Sequence, residues 1–301
     1  MNELVIPGGQ VSGHFVISSD QRGVLAEFDN LITDAGLSRM YSYDYLNYCY
    51  VGTGSTPPTV NDTALVNRVG TTNKTNGSTN TVQSTPPYFA EHTKYYEFPV
   101  GTATGNLTEV GVGWLDSGVY KLFSRALILD AGGLPTTITI LSTEMLRVTY
   151  SLRLYIPTGD TTGTITLGGN IGGTHNWTLR AAQITTSGSW QAGQPMGPSY
   201  VYSGPWNDDT VIPRIFAYSE EMGTLFTQPT GHGVSCTGDR GTTTSASWGV
   251  TSGSITVKSL WITNYSHGRY QVEFDPPISK SNLQTLTLSW SNPSWSRYVA
   301  P

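Results

Sequence analysis

"MLRVTYSLRLYI", residues 145–156, alternates apolar and polar side chains without a break. Leu146, Val148, Tyr150, Leu152, Leu154 and Ile156 share one face; Arg147, Thr149, Ser151 and Arg153 share the other. Side chains of an extended chain point to opposite faces with period two. Six apolar positions in that rhythm therefore predict a strand with one buried side. Just upstream, "LFSRALILDAGGLPTTITI", residues 122–140, reads differently. Leu122 to Leu129 is apolar on both faces, as in a strand held between two layers. Asp130 to Gly133 supplies a turn, and Thr136 to Ile140 resumes extended chain, pairing with the strand before it. Ser142 to Glu144 predicts one short helical turn.

The rest of the chain repeats this texture. His14 to Ser18, Val24 to Thr33, Tyr95 to Val100 and Leu107 to Trp114 read as strands. Asp34 to Met40 predicts a short helix with Asp34 as N-cap, and Asn61 to Leu65 a second one. Residues Thr71 to Thr85 are almost all Thr, Asn, Ser and Gly, which predicts an exposed loop. Ile156 to Asp160 is the best domain boundary. Beyond it, Thr164 to Leu167, Ile255 to Val257, Leu260 to Ile262, Tyr270 to Phe274 and Leu283 to Trp290 are further strands, and Gln191 to Arg214 is a long ordered loop. Short strands with regular turn signals point to sandwiches or barrels, and no fixed repeat points to a solenoid or propeller.

Composition agrees. Of 301 residues only 12% are charged, while 34 are Gly and 17 Pro. The polar surface must then be built from Thr, Ser, Asn and Gly, which suit strands and turns better than helices. The net charge is −5 with no Lys/Arg run, which argues against a nucleic-acid surface. No apolar run is long enough to cross a membrane as a helix, and the first residues show no secretory signal. Cys49 and Cys236 match no metal spacing; two buried free thiols are favoured over one bridge.

Known catalytic patterns are missing. His14, His92, His175, His232 and His267 form no metal-binding motif, and neither a Gly-x-Ser-x-Gly elbow nor a phosphate loop occurs. The pairs Asp208-Asp209 and Glu220-Glu221 are adjacent, so on a strand each pair points to opposite faces and cannot flank one glycosidic bond. No catalytic residue, cofactor or metal is assigned. Seven of the eight tryptophans follow the boundary. Trp261 and Trp290, in strands, read as core. Tyr200, Tyr202, Trp206, Asn207, Asp208 and Asp209 mix flat aromatics with hydrogen-bonding groups, the composition of a glycan or protein contact; Trp206 reads equally as contact or core.

Four segments, "FDNLITDAGLSRM", "YVGTGSTPPTVNDTALVNRV", "GNLTEVGVGW" and "LFSRALILDAGGLPTTITILSTEMLRVTYSLRLYIP", occur in that order. Together they resemble a recurring block in virion structural proteins of tailed bacteriophages, attached to the tail, its fibres or sometimes the capsid exterior. The resemblance covers about residues 28–157. It implies assembly in the bacterial cytoplasm, a place in the virion, symmetric copies and no catalytic residues.

The expectation is an all-β protein with only short helical turns. Residues 1–157 would form a β-sandwich that attaches to the virion. Residues 158–301 would form a second β-sandwich or jelly-roll-like module whose aromatic loops meet a partner or a host-surface glycan. The function expected is a tail fibre, fibre anchor or baseplate-type protein contacting tail or neck components. The alternatives are a capsid decoration protein or a tail-borne glycan-cleaving enzyme.

Overall fold

The computed structural model describes residues 4–5, 8–40, 44–83, 85–155, 157, 159–184, 198–203, 231–235, 243–250, 253–264, 268–291 and 294–299. In chain order the elements are β1 Leu4–Val5, β2 Gly9–Ser19, β3 Gly23–Asp29, β4 Leu31–Ile32, α1 Asp34–Arg39, β5 Tyr48–Gly52, β6 Arg68–Thr72, β7 Thr75–Gln83, β8 Phe89–Phe98, β9 Gly105–Leu107, β10 Glu109–Asp116 and β11 Val119–Leu127. They continue with β12 Ile138–Ile140, β13 Leu146–Tyr155, β14 Thr161–Thr166, β15 Thr174–Ile184, β16 Pro198–Ser203, β17 Gly231–Ser235, β18 Thr243–Trp248, β19 Ile255–Asn264, β20 Gly268–Lys280, β21 Leu286–Ser291 and β22 Trp295–Arg297. The all-β expectation holds.

β13 is the centre of the largest sheet among the described residues, β22-β2-β13-β8-β7 with β3 also on β2. All ten of its residues pair with β2 on one side and β8 on the other. Its five described apolar positions are fully buried. Its polar face carries cross-strand pairs: Arg147 with Glu97, Ser151 with Thr93 and Arg153 with Glu91. The buried face packs on a second sheet, β4-β11-β10-β5-β6, around a core that includes Phe15, Tyr96, Val112, Phe123 and Tyr150. Two further sheets, β1-β21-β18-β17 and β14-β15-β20-β19-β16, share a second core of Trp177, Trp248, Tyr270, Val272, Phe274, Leu288 and Trp290.

The chain ends cross the boundary expected at residue 157. β1 runs parallel to β21, with Leu4 beside Trp290, and β22 runs parallel to β2, with Trp295 beside Gly9. Both pairings share one register. Leu4 therefore lies in the second core and Trp295 in the first. Ala90, from β8, also joins the second core. Gly9 is required by this arrangement: a Cβ there would stand 2.4 Å from the Trp295 ring.

Several local expectations are corrected. The helix α1 is capped by Thr33, not Asp34: the Thr33 hydroxyl accepts from the Gly36 amide at 2.9 Å. No helix forms at residues 61–65, because the Asp62 carboxylate accepts from Thr59 and turns toward Arg125 instead. The Thr/Asn-rich segment expected as a loop contains the strand β7, which is mostly exposed but registered against β8. Residues 142–144 form a turn rather than a helical one, closed by Glu144. After the Asp130–Gly133 turn, β12 leaves β11 and pairs with β9.

Candidate functional site

The expected contact loop is only partly within the described residues. Tyr200 and Tyr202 sit on β16, an edge strand rather than a loop, opposite Thr263 and Trp261 of β19. Trp206, Asn207, Asp208 and Asp209 lie outside the described residues, as do Glu220, Glu221 and Cys236. The tryptophans whose side chains are described, Trp114, Trp177, Trp248, Trp290 and Trp295, are all buried in the two cores. Trp177, Trp248 and Trp290 belong to the second core, and Trp114 and Trp295 to the first. Cys49 is a buried free thiol, and burial pushes its pKa far up, which makes it unreactive.

The first half instead gathers its chemistry on the outer face of the five-stranded sheet. Along β10, Val110, Val112 and Trp114 point to the core while Glu109 and Gly111 point away. Gly111 lacks a side chain where a Cβ would meet Leu122 and Leu65 at 2.7 and 3.2 Å, so the loop between β5 and β6 can lie flat on this face. The Glu109 carboxylate then fastens that loop. It accepts from the amides of Gly54, Asn67 and Val66 at 2.9, 2.8 and 3.2 Å. Arg125 donates to Glu109 at 2.9 Å, to Asp62 at 2.6 Å and to the Thr56 carbonyl at 2.8 Å. Glu109 and Arg125 are 0% and 1% exposed. Burial works against ionisation of Asp62, but bonds from the Thr59 hydroxyl and amide and from Arg125 outweigh it and hold its pKa low.

Beside this node lies a groove of about 430 Å³ lined by Tyr50, Leu65, Arg68, Val119, Tyr120 and Leu122 among others. The two-residue turn Ser117-Gly118, with both φ positive, forms one rim. Tyr120 meets Tyr48 and Tyr50 edge-on at 5.3 and 5.6 Å. The Arg68 guanidinium lies over Tyr120, 4.1 Å from its centroid. Tyr50 is buried, which raises its pKa well above the phenol range, and its hydroxyl donates to the Trp114 carbonyl at 3.1 Å. The signal for this groove was present in "YCYVG": Cys49 and Val51 alternate inward, so Tyr48 and Tyr50 must face out.

The described residues thus define a class by architecture: an all-β protein with two sandwich cores, joined by its own chain ends, and a groove on an outer sheet face. Comparison of the chain with protein-family models, curated proteins and solved structures found no match. Among the described residues no three His, Cys, Asp or Glu side chains converge as metal ligands would, and no helix is long and apolar enough to cross a membrane.

Proposed function

We propose that this chain is a non-enzymatic structural component of a tailed-bacteriophage virion: a tail fibre, fibre anchor or baseplate-type protein assembling in repeated copies with tail or neck proteins. One observation supports this reading above others. The segments that resemble the phage block meet in one place: Thr33 of the first bonds the Leu122 carbonyl of the fourth, while Gly54 and Asn67 of the second bond Glu109 of the third, and Arg125 of the fourth closes the node. Their polar groups are engaged internally, as in a part built to hold shape.

The test is imaging of intact particles carrying an epitope on this chain. Label on the tail is the expected result. Label over the shell would replace the tail reading with capsid decoration, and absence of label from purified particles would overturn the virion reading. Release of reducing ends from host polysaccharide by the pure protein would overturn the non-enzymatic part.

A further inference from the structure

The groove holds a cation with no counter-charge. Arg22, Arg39, Arg125, Arg147, Arg153, Arg180 and Arg297 each bond a carboxylate, at distances between 2.5 and 3.3 Å. Arg68 is the one arginine among the described side chains with no such partner. Yet the chain is net acidic, so carboxylates are plentiful. The guanidinium rests over Tyr120 and makes no ion pair there, and a planar guanidinium held on an aromatic face can take a carboxylate through two parallel bonds.

The surroundings narrow the ligand. The floor is apolar: Leu65 and Leu122 are buried beneath it. The rim residue Val119 is 54% exposed, and the neighbouring Val66 and Val69 are 56% and 47% exposed. A stacked arginine among exposed aliphatics and tyrosines has the composition of an interface centre. An aliphatic side chain next to the carboxylate would bury against Leu65, Leu122 and Val119, a contact that the hydroxyls of a sugar do not make.

We infer that this groove seats an acidic–aliphatic segment of a neighbouring protein, with a carboxylate on Arg68 and an adjacent aliphatic side chain over Leu65 and Val119. The identity of the neighbour as a virion protein rests on the proposed function; the groove's ligand chemistry does not. The probe is an N-acetylated, fluorescein-labelled hexapeptide of alternating Asp and Leu, titrated into the full chain and followed by anisotropy. Saturable binding is expected, weakened about tenfold or more in Arg68→Leu and equally in Val119→Asp, which places a competing carboxylate beside Arg68. Both positions are exposed, and an unchanged melting temperature verifies folding. The matching Asn/Leu peptide and a hyaluronan tetrasaccharide should not bind. Absence of Asp/Leu binding at millimolar peptide, equal binding by Arg68→Leu, equal binding of the Asn/Leu peptide, or binding of the acidic sugar in its place would each overturn the inference. Such a failure leaves particle labelling untouched, so it is distinguishable from failure of the tail reading.

Discussion

Glu109 and Arg125 face each other out of contact with solvent, Oε2 to Nε at 2.9 Å, on the side of the sheet opposite the main core. Removing one partner of a buried, hydrogen-bonded ion pair leaves an uncompensated charge. Arg125→Met is therefore expected to cost about 3–5 kcal/mol of stability. Many buried pairs can be replaced together by apolar residues at little cost, but this one differs. Glu109 also receives the Gly54, Val66 and Asn67 amides, which an apolar residue would orphan. The double variant Glu109→Leu/Arg125→Met should therefore remain at least as unstable as the single one. Urea unfolding of both variants checks this; recovery to the native midpoint in the double variant would contradict it.

The clasp between chain ends gives a second prediction. Gly9→Ala drives a methyl into the Trp295 ring, and overpacking of this kind costs about 1–3 kcal/mol. Shrinking the ring should relieve it, so Gly9→Ala/Trp295→Leu is expected to be less destabilised than the sum of the two single variants. Additive melting shifts in this cycle would show that the two residues do not oppose each other.

Reading the sequence worked best where the signal was local and two-sided. β13 was legible almost to the residue because its alternation is enforced by both neighbours and by one wet face. β7 was not legible, because Thr, Asn and Gly carry no apolar period; its extended form comes from register with β8, a tertiary constraint. The turn at Thr59–Asp62 failed as a helix because Asp62 found a distant partner in Arg125. The clasp of β1 and β22 is a parallel pairing between opposite ends of the chain, for which no local pattern exists. Of the contact residues, only Tyr200 and Tyr202 fall in described backbone, and the outer groove was missed because its parts, Tyr50, Arg68 and Tyr120, lie on three separate segments.

The junction of α1 with β11 gives a third prediction. Thr33 is fully buried; its hydroxyl caps Gly36 and donates to the Leu122 carbonyl at 2.8 Å. Thr33→Ala removes the cap and orphans its partners, an expected loss of about 1–2 kcal/mol. Thr33→Ser, which keeps the hydroxyl, should restore most of it. Gly36→Ala should be worse than Thr33→Ala, because the new Cβ would meet the Phe123 backbone oxygen at 2.2 Å, and backbone cannot rotate away. Thermal melts rank the three variants; Gly36→Ala melting above Thr33→Ala would refute the contact.

Acid sensitivity should come in two stages. His92 is buried on β8, and burial, with Lys94 nearby, pushes its pKa down to about 4. An unfolded histidine titrates near 6.5. Between those values the unfolded chain takes up the proton and the folded one does not, so stability falls as pH drops from about 6.5 to about 4. Glu144 behaves differently. The Arg22 bond, helped by the Leu141 amide and the Ser19 hydroxyl, lowers its pKa to about 2. Its contribution is complete above the ordinary glutamate range and is lost as pH falls from there through about 2. Asp62, also held low, adds to this second stage. His92→Gln should flatten the upper decline alone, and Glu144→Gln should shallow the lower one alone. Urea midpoints measured from pH 7 down to pH 2 separate the two. A Glu144→Gln curve parallel to the native one at low pH would mean that the Arg22 contact does not persist in solution.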